Sequence, residues 1–212
     1  MPIWSPPQPW PLPLRTGRLE LRFWTHEDAE ALCRAVQQSR AELIPWMDWA
    51  RGGHRTVADS AAIVRLFQSL RGQKPPPDIT IGVFEAATGE LLGGSGYARV
   101  HAHLHRAEIG YWIRTSRTGE GFATEATRAL LDLAFAPQPR GLEFRSILIT
   151  TEAANTASQQ VCRKLGLPQI DTPEFPAGHP CKDRPSVCFQ VEPDAWTVLR
   201  DRSPLDSGPA AP

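Results

Sequence analysis

The sequence has no surplus of charge of either sign. Its 212 residues include 23 lysines and arginines and 23 aspartates and glutamates, so the formal net charge at pH 7 is zero. Proteins that bind nucleic acid or membrane surfaces through bulk electrostatics carry an excess of positive charge, so neither kind of partner is predicted. Also missing are a run of about 18 apolar residues, which a membrane-spanning helix needs, and the basic and apolar segments of a secretory signal. We therefore expect a cytoplasmic protein.

Cysteine is scarce and shows no pairing motif. The four cysteines form no C-x-x-C pair, and in a chain of this size we expect reduced, partly buried thiols rather than a disulfide framework. They are Cys33, Cys162, Cys181 and Cys188.

The histidines do not complete a metal site. His101, His103 and His105 alternate in HAHLH and would share one face of a strand, a spacing that can bind a transition metal. The run lies where a hairpin turn is expected, however, and no nearby cysteine or aspartate completes the set. A group of His179 with the last two cysteines is a weaker zinc candidate still. We predict no metal.

Proline, by contrast, is abundant. Many of the 21 prolines lie near the two ends of the chain, a composition typical of extended or mobile arms rather than packed elements. We predict three parts: a proline- and tryptophan-rich N-terminal arm (1–15), one domain (16–197) and a mobile C-terminal tail (198–212).

Hydrophobic periodicity predicts a mixed order of elements inside the domain. A strand and two amphipathic helices precede a three-strand meander, which is followed by helix, strand, helix, strand and strand. Such an order predicts an α+β fold in which helices flank a mixed central sheet of about seven strands. The predicted strands are 18–24, 79–85, 91–100, 105–114, 144–150 and two near 167–174 and 185–191; the predicted helices include one after Thr25, 57–71, about four turns after residue 121, and 156–166.

The stretch SRTGEGFATEA (116–126) joins a predicted strand to a predicted helix. A helix N-terminus presents unpaired N–H groups and the positive end of the helix dipole, which attract phosphate, and Gly119 and Gly121 allow close approach of the backbone. It is neither a dinucleotide fingerprint nor a P-loop, because Thr124 stands at the third glycine position and no G-K-[ST] follows. The residues alone leave two alternatives open: a phosphate site, or a plain strand-to-helix turn.

A second motif follows the next predicted strand. It consists of Asn155 and Ser158 in NTAS, followed by RKLG (163–166). Taken alone, Asn155 or Thr156 would cap a helix and Gly166 would end it, with no chemistry implied.

Together these motifs resemble the GNAT superfamily of acetyl-coenzyme A-dependent N-acetyltransferases, in particular its RimJ/RimL-like branch of ribosomal-protein N-terminal acetyltransferases. The matching segments span roughly residues 16–197 and keep the order of the family. They are TGRLxLR, PWMDW, EIGYWI, GEGFATEA, NxxS…KLG and RPSVCFQVEPDAW. The resemblance implies the GNAT fold and acetyl-CoA as the cofactor.

The resemblance also implies the cofactor site. The strand before the loop would pair with the pantetheine arm, and the backbone N–H groups of the loop would hold the pyrophosphate. The implied cofactor-binding residues are Gly110, Tyr111, Trp112, Ile113, Arg117, Thr118, Gly119, Glu120, Gly121, Phe122, Ala123, Thr124, Asn155 and Ser158. The family's loop usually begins with Gln or Arg, whereas Ser116 stands here and the arginine follows it. Glu120 must point outward, because a carboxylate beside pyrophosphate would repel it.

Two residues carry the implied chemistry, in which a neutral amine attacks an acetyl thioester. Glu108 matches the family's carboxylate at the start of the cofactor strand and would serve as general base; the alternative is a glutamate at a strand edge in water. Ser158, which matches the NxxS serine that serves this role in the RimL-like branch, would return a proton to the leaving thiolate. Many relatives use a tyrosine for this step, but Tyr97 and Tyr111, the only tyrosines here, both lie on predicted strands. The alternative for Ser158 is a helix-start residue.

Tryptophan supplies the candidate acceptor pocket. Trp46, Trp49 and Trp112 could line it, although tryptophan is also a common core residue.

We therefore expect an N-acetyltransferase that moves acetyl directly from acetyl-CoA to a primary amine, with a protein N-terminal α-amine as the favoured acceptor. No covalent cysteine intermediate and no nucleic-acid or membrane partner are expected, and the family allows a homodimer. Three alternatives stay open: an acetyltransferase for small amines such as antibiotics or amino acids, a non-catalytic acyl-CoA-binding module of the same fold, and a metal-binding protein built on HAHLH.

Overall fold

One mixed sheet organises the molecule. The computed structural model of the protein describes residues 3–173, 175 and 179–202. Within them the sheet has eight strands in the order β1-β2-β3-β4-β5-β6-β8-β7. All neighbouring strands run antiparallel except β5 and β6, which are parallel. The strands are β1 (Leu14–Arg15), β2 (Leu19–Phe23), β3 (Ile79–Glu85), β4 (Leu91–His101), β5 (Arg106–Ile113), β6 (Ser146–Glu152), β7 (Gln169–Ile170) and β8 (Ser186–Val191).

Seven α-helices flank this sheet in the described part of the chain. They are α1 (Ala29–Gln38), α2 (Arg40–Leu43), α3 (Trp49–Gly52), α4 (Val57–Arg71), α5 (Phe122–Phe135), α6 (Thr156–Lys164) and α7 (Pro193–Arg202). The predicted α+β class is confirmed, and most of the predicted helices and strands match to within two residues. The exceptions are β1 and α7, which were not predicted, and β7, which is shorter than the expected strand.

Local capping explains where the helices begin. Thr56 precedes α4 and forms a reciprocal capping box: its hydroxyl accepts the Asp59 N–H at 3.1 Å, and the Asp59 carboxylate accepts the Thr56 N–H at 2.9 Å. The Asp28 carboxylate likewise accepts the Thr25 N–H at 2.7 Å, as the capping pattern predicted. A short 3-10 turn, His26–Asp28, separates this cap from α1.

The two faces of the sheet bury different clusters. The larger cluster joins the sheet to α5 and α6, and the smaller joins it to α1 and α4. Because side chains alternate along a strand, Ile109 of β5 belongs to the larger cluster and Trp112 to the smaller. Strand β5 therefore has side chains on both faces of the sheet.

The N-terminal arm is packed, which corrects the expectation of a mobile segment. Trp4 is 2% exposed, stacks on Phe144 with ring centroids 4.7 Å apart, and donates its Nε1–H to the carbonyl of Leu142 at 2.6 Å. Trp10 also packs edge-on against Phe23, with ring centroids 5.4 Å apart, so two large aromatic side chains hold the arm against the domain.

The C-terminal boundary also differs from the expected one. Helix α7 continues through residues 198–202, and the Arg128 side chain donates to the carbonyl of Arg200 at 2.8 Å. The rest of the predicted tail, 203–212, lies outside the described residues.

The predicted metal candidates separate in the fold. His101 ends β4, whereas His103 and His105 lie in the turn before β5, so the three do not alternate on one strand. Among the described residues no group of three or more metal-ligating side chains is close enough to hold an ion. The four cysteines are buried free thiols. No helix in the described ranges is both long and apolar enough to cross a membrane.

Candidate active site

The central feature of the site is the point where β5 and β6 part. Three residue pairs join the two strands, the last being Glu108 with Leu148. Beyond it β5 continues to Ile113 and β6 to Glu152, both wholly within the described residues, and no further pair joins them. The backbone N–H and C=O groups that face the gap therefore need another hydrogen-bonding partner. An extended, amide-containing ligand suits this gap.

The glycine loop follows β5 and leads into α5, a helix whose N-cap residue is a glycine. Gly121 is the residue before α5, has φ 86°, and brings no side chain to cap the helix. Gly119 has φ 84°, and a Cβ placed on it would meet no heavy atom of the described residues within 4 Å. The first N–H groups of α5 thus donate no hydrogen bond to an N-cap side chain, and they lie at the positive end of a 14-residue helix beside the open space at Gly119. Of the two alternatives left open by the sequence, this geometry favours the anion site.

Arg117 organises the loop. Its guanidinium is occupied by three carboxylates, with Nε 2.9 Å from Glu120, Nη1 2.7 Å from Glu90 and Nη2 2.8 Å from Glu85. These contacts tie the loop to the turn between β3 and β4. They also pair the carboxylate of Glu120, whose side chain is 42% exposed, with the Arg117 guanidinium; its outward orientation stays a prediction. The predicted contact of the Arg117 side chain with a cofactor stays a prediction.

Arg18 fixes the other side of the loop. Its Nη1 donates to the Glu120 carbonyl at 3.0 Å, and its Nε donates to the Glu125 carboxylate at 2.7 Å. The same carboxylate accepts from the hydroxyl of Thr16. The TGRL and ATEA motifs thus contact each other, and Glu125 is turned away from the free N–H groups. Thr124 is 4% exposed on the buried side of α5, so its hydroxyl role is likewise a prediction.

Ser158 lies across the gap from β5, as part of the start of α6. The Asn155 side chain caps this helix by accepting the Ser158 N–H at 3.0 Å through its carbonyl oxygen, which leaves its NH2 group available. The hydroxyl of Tyr111 donates to the Ser158 carbonyl at 2.9 Å and lies 3.0 Å from Ser158 Oγ. Burial raises the pKa of Tyr111 well above its usual value, so the phenol keeps its proton. Both interpretations of Asn155, as cap and as ligand donor, are compatible with this geometry.

A cysteine adjoins this pair but is poorly suited to covalent chemistry. Cys162 Sγ is 3.9 Å from the Tyr111 hydroxyl, and the residue is fully buried. Burial raises the pKa of the Cys162 thiol to about 11, so it is protonated and weakly nucleophilic near neutral pH.

Glu108 lies where the two strands part, on the sheet face opposite Ser158. Burial by itself raises the pKa of its carboxyl, but the hydrogen bond and charge of Arg99, joined by His179, outweigh burial and lower it. Arg99 Nη2 is 2.7 Å from the carboxylate, and His179 Nε2 is 3.3 Å from both of its oxygens. Glu108 is therefore an ionised, oriented carboxylate rather than a free glutamate at a strand edge.

Open space adjoins this carboxylate along the same face of β5. Gly110 is the next residue on that face, and a Cβ added to it would meet nothing within 4 Å among the described residues. Trp112 follows, and its indole passes over Gly94, where a Cβ would lie 2.7 Å from Nε1. This face of β5 is therefore open at Gly110, between Glu108 and Trp112, and we call this open strip the cleft.

Two of the three predicted tryptophans meet at the end of this cleft. The rings of Trp49 and Trp112 have centroids 5.9 Å apart, and His54 packs edge-on against Trp49 at 5.7 Å. Trp49 is 40% exposed, so it is accessible at the mouth of the cleft. Trp46 is half-buried and forms no ring contact with the other two within the described residues.

Several functional neighbours were missed by sequence reasoning. Arg99 was not singled out, His179 was considered only as a zinc ligand, and the Tyr111 hydroxyl was set aside because it lies on a strand. Arg99 reaches Glu108 only because a bulge between Ala98 and His101 interrupts the register of β4 and β5. His179 is 71 residues from Glu108 along the chain. Neither relation leaves a local sequence signal.

Comparisons with known proteins agree with this geometry. A family model described as acetyltransferase (GNAT) domain matches residues 18–168. An uncharacterized N-acetyltransferase p20 of Bacillus licheniformis is 30% identical over 152 residues, which cover 72% of this chain and 80% of that protein. The structure of Mycobacterium smegmatis RimJ in complex with CoA-disulfide superposes with a TM-score of 0.72 at 23% identity, covering 90% of this chain and 95% of that one.

A second solved structure has the same fold. RimL, a ribosomal L7/L12 alpha-N-protein acetyltransferase in complex with coenzyme A, superposes with a TM-score of 0.71 at 22% identity and covers 86% of this chain and 98% of that one. The predicted fold is confirmed.

Proposed function

Since the chain belongs to the acetyltransferase (GNAT) family, as its motifs predicted, we propose that it transfers acetyl from acetyl-CoA to a primary amine, with a protein N-terminal α-amine as the acceptor. The observation that carries the proposal is the parting of β5 and β6 beside the glycine-capped N-terminus of α5. An extended amide chain fits the gap between the strands, and a phosphate fits the helix end.

The residues present suit acetyl-CoA. Gly119 leaves space beside the helix end for a pyrophosphate, and Gly121 lies against the Arg18 guanidinium, with 3.5 Å between a Cβ placed on it and Nη2; the N–H groups of α5 would stabilise the charge of the pyrophosphate. The unpaired edge of Gly110 to Ile113 would hydrogen-bond the pantetheine amides, and the Asn155 NH2 group would donate to one of them. When bound, acetyl-CoA supplies an acetyl thioester, which an amine can attack.

The chain's own groups would act from both sides of the gap. Glu108, on one face of β5, would take the proton that the attacking amine loses, directly or through water. Backbone N–H groups of β5 at the parting would polarise the acetyl carbonyl. Ser158, on the other face, would donate its hydroxyl proton as the C–S bond breaks and the thiolate leaves. Proton uptake and proton delivery are thus separated by the strand.

The acceptor enters from the cleft in this proposal. Trp49 and Trp112 form an apolar wall farther along β5 from Glu108. This wall suits the first side chain of a peptide. An α-amino group, with a pKa near 8, loses its proton more readily than a lysine side chain. The protein named RimL, which acts on an α-N-terminus, supports this acceptor class by analogy of fold alone.

A titration tests the cofactor part of the proposal. Calorimetry with acetyl-CoA should give micromolar binding, and Gly121→Val should weaken it at least tenfold, because a β-branched residue does not adopt φ 86°. Gly166→Val is the matched control: Gly166 has φ 69° after the C-terminal end of α6, so it imposes similar strain outside the glycine loop and its Arg117 contacts. Equal weakening in both variants, or no binding by the parent protein, contradicts the proposal.

An acceptor panel tests the rest. Mass spectrometry of N-terminal peptides, internal lysine peptides and small amines, each with acetyl-CoA, should show acetylation of peptide α-amines. Acetylation of small amines alone would instead assign a small-molecule acetyltransferase. Binding without any acetylation would leave a non-catalytic acyl-CoA-binding module.

A further inference from the structure

We propose that His179 is a positioning residue of this site: its Nε2–H holds the Glu108 carboxylate where that carboxylate meets the acceptor amine. The inference rests on the proposed function, in which Glu108 takes a proton from the acceptor amine, but the contact between His179 and Glu108 does not depend on that function. The side chain of His179 is 2% exposed, and its Nε2 lies 3.3 Å from both carboxylate oxygens of Glu108.

The imidazole has one tautomer that fits its surroundings. Nδ1 accepts the backbone N–H of Cys181 at 3.1 Å, so Nδ1 carries no proton. A neutral imidazole then carries its proton on Nε2, the atom that faces Glu108. The Phe175 ring stacks on the imidazole with centroids 4.0 Å apart and an interplanar angle of 8°, which fixes the ring plane. His179 is therefore oriented as a donor to the carboxylate.

Arg99 holds the same carboxylate from the other side but leaves it free to pivot. Its contact is through one atom, Nη2, at 2.7 Å. Arg99 itself is set by an unusual backbone: it has φ 50°, and its N–H donates to the Asp78 carboxylate at 2.9 Å. A single contact fixes a distance, whereas two donors from β4 and from the segment before β8 fix the plane of the carboxylate as well.

The charged groups around Glu108 favour the ionised form of its carboxylate. Arg99 is the cation and interacts with Asp78 as well as with Glu108; the thiol of Cys181 lies near Arg99, and the thiol of Cys188 lies near Glu108. Burial raises the pKa of both thiols, so they remain uncharged near neutral pH. The Nε2–H of His179 and the guanidinium of Arg99 thus favour the ionised carboxylate together.

Replacing the donor tests the proposal. In His179→Leu the hydrogen bond is lost, so the carboxyl pKa of Glu108 should rise by about one unit, the size expected for a hydrogen bond to a charged group. His179→Gln can donate an amide N–H from a similar position and should recover at least half of the shift. Phe175→Leu keeps the donor and removes only the ring that fixes its plane, so it should raise the pKa less than His179→Leu does.

Two readouts separate this inference from the proposed function. Carbon-13 NMR of the Glu108 carboxyl gives its titration without any assay of activity, and the acidic limb of the kcat/KM profile should move by the same amount. If the chain acetylates nothing, the proposed function fails while the NMR titration still decides the inference. An unchanged titration in His179→Leu, or an equal shift in His179→Gln, overturns it.

A measurement on the unaltered protein covers the case in which His179→Leu does not fold. Nitrogen-15 NMR should show that Nδ1 of His179 accepts a hydrogen bond and that Nε2 carries the proton that faces Glu108. A ring protonated at Nδ1 overturns the proposal.

Discussion

The two tyrosines of the chain provide a matched test of the proton-delivery side of the site. The Tyr111 hydroxyl donates to the Ser158 carbonyl at 2.9 Å, and Ser158 Oγ lies 3.0 Å from the same oxygen. A carbonyl has no hydrogen to give, so the phenol proton goes to it and the serine hydroxyl donates to the phenol oxygen. Tyr111→Phe removes both hydrogen bonds and leaves the ring in place.

The size of each effect follows from these two bonds. A neutral hydrogen bond contributes about 1 kcal/mol to folding, so losing two should cost about 1–2 kcal/mol and lower Tm by about 2–8 °C. If one bond orients Ser158 for proton delivery, its loss of about 1 kcal/mol in the transition state lowers kcat about 5-fold. Tyr97→Phe is the control, because its hydroxyl donates to the helical carbonyl of Leu130 at 2.6 Å in the buried core. It should lose stability without losing kcat.

The assay is release of the CoA thiol at saturating acetyl-CoA with an accepted peptide, together with urea unfolding of each variant. Ser158→Ala completes the cycle: once the serine hydroxyl is gone, Tyr111→Phe should lower kcat no further. The reasoning is refuted if both tyrosine variants lose kcat equally, or if Tyr111→Phe keeps its full effect in the Ser158→Ala background.

Two other predictions concern stability. Burial, followed by the charge of Arg40, lowers the pKa of His54 from 6.5 to about 4, so the unfolded chain binds this proton first as the pH falls. The free energy of unfolding above pH 6.5 should therefore drop by about 3 kcal/mol on the way to pH 4. In His54→Asn, where asparagine tolerates φ 56°, urea unfolding at pH 7 and 4.5 should show a smaller drop. A drop as large as in the parent protein would assign the acid sensitivity to other groups. Trp4→Ala should cost about 3–5 kcal/mol, because the indole is 2% exposed and hydrogen-bonded. A loss well under 1 kcal/mol in urea unfolding would show that the arm does not contribute to the core.

Local chemistry explains why much of the fold was predictable. The bounds of α4 follow from Thr56 and Asp59, which satisfy each other's backbone N–H groups whatever lies around them. Strand β3 was predictable because ITIGVFE is a short run of mostly β-branched and aromatic residues, and these are buried on both faces of the sheet. Elements that depend on distant contacts were missed: β1 is a strand only because it pairs with β2, and nothing within Leu14–Arg15 itself indicates this.

The candidate site divides in the same way. The glycine loop was identified because few residue types other than glycine adopt positive φ at a helix start. Gly119 and Gly121 both have positive φ. Arg117 was assigned to the loop as a cofactor-binding residue, which stays a prediction, and its partners on β3 and the following turn could not be foreseen. Proline content misled the prediction for the N-terminal arm, because composition does not record where a single tryptophan packs.

By itself, the sequence determined the order of strands and helices, the glycine-capped start of α5 and the helix cap at Asn155, because each depends on neighbours within a few residues. Tertiary structure alone decided what meets across the gap. The bulge at Ala98 brings Arg99 to Glu108, a loop 71 residues away adds His179, and the facing of β5 and α6 joins Tyr111 to Ser158. Charge and hydrogen bonding act over a few ångströms in space and not along the chain, so these partners exist only once the sheet has formed.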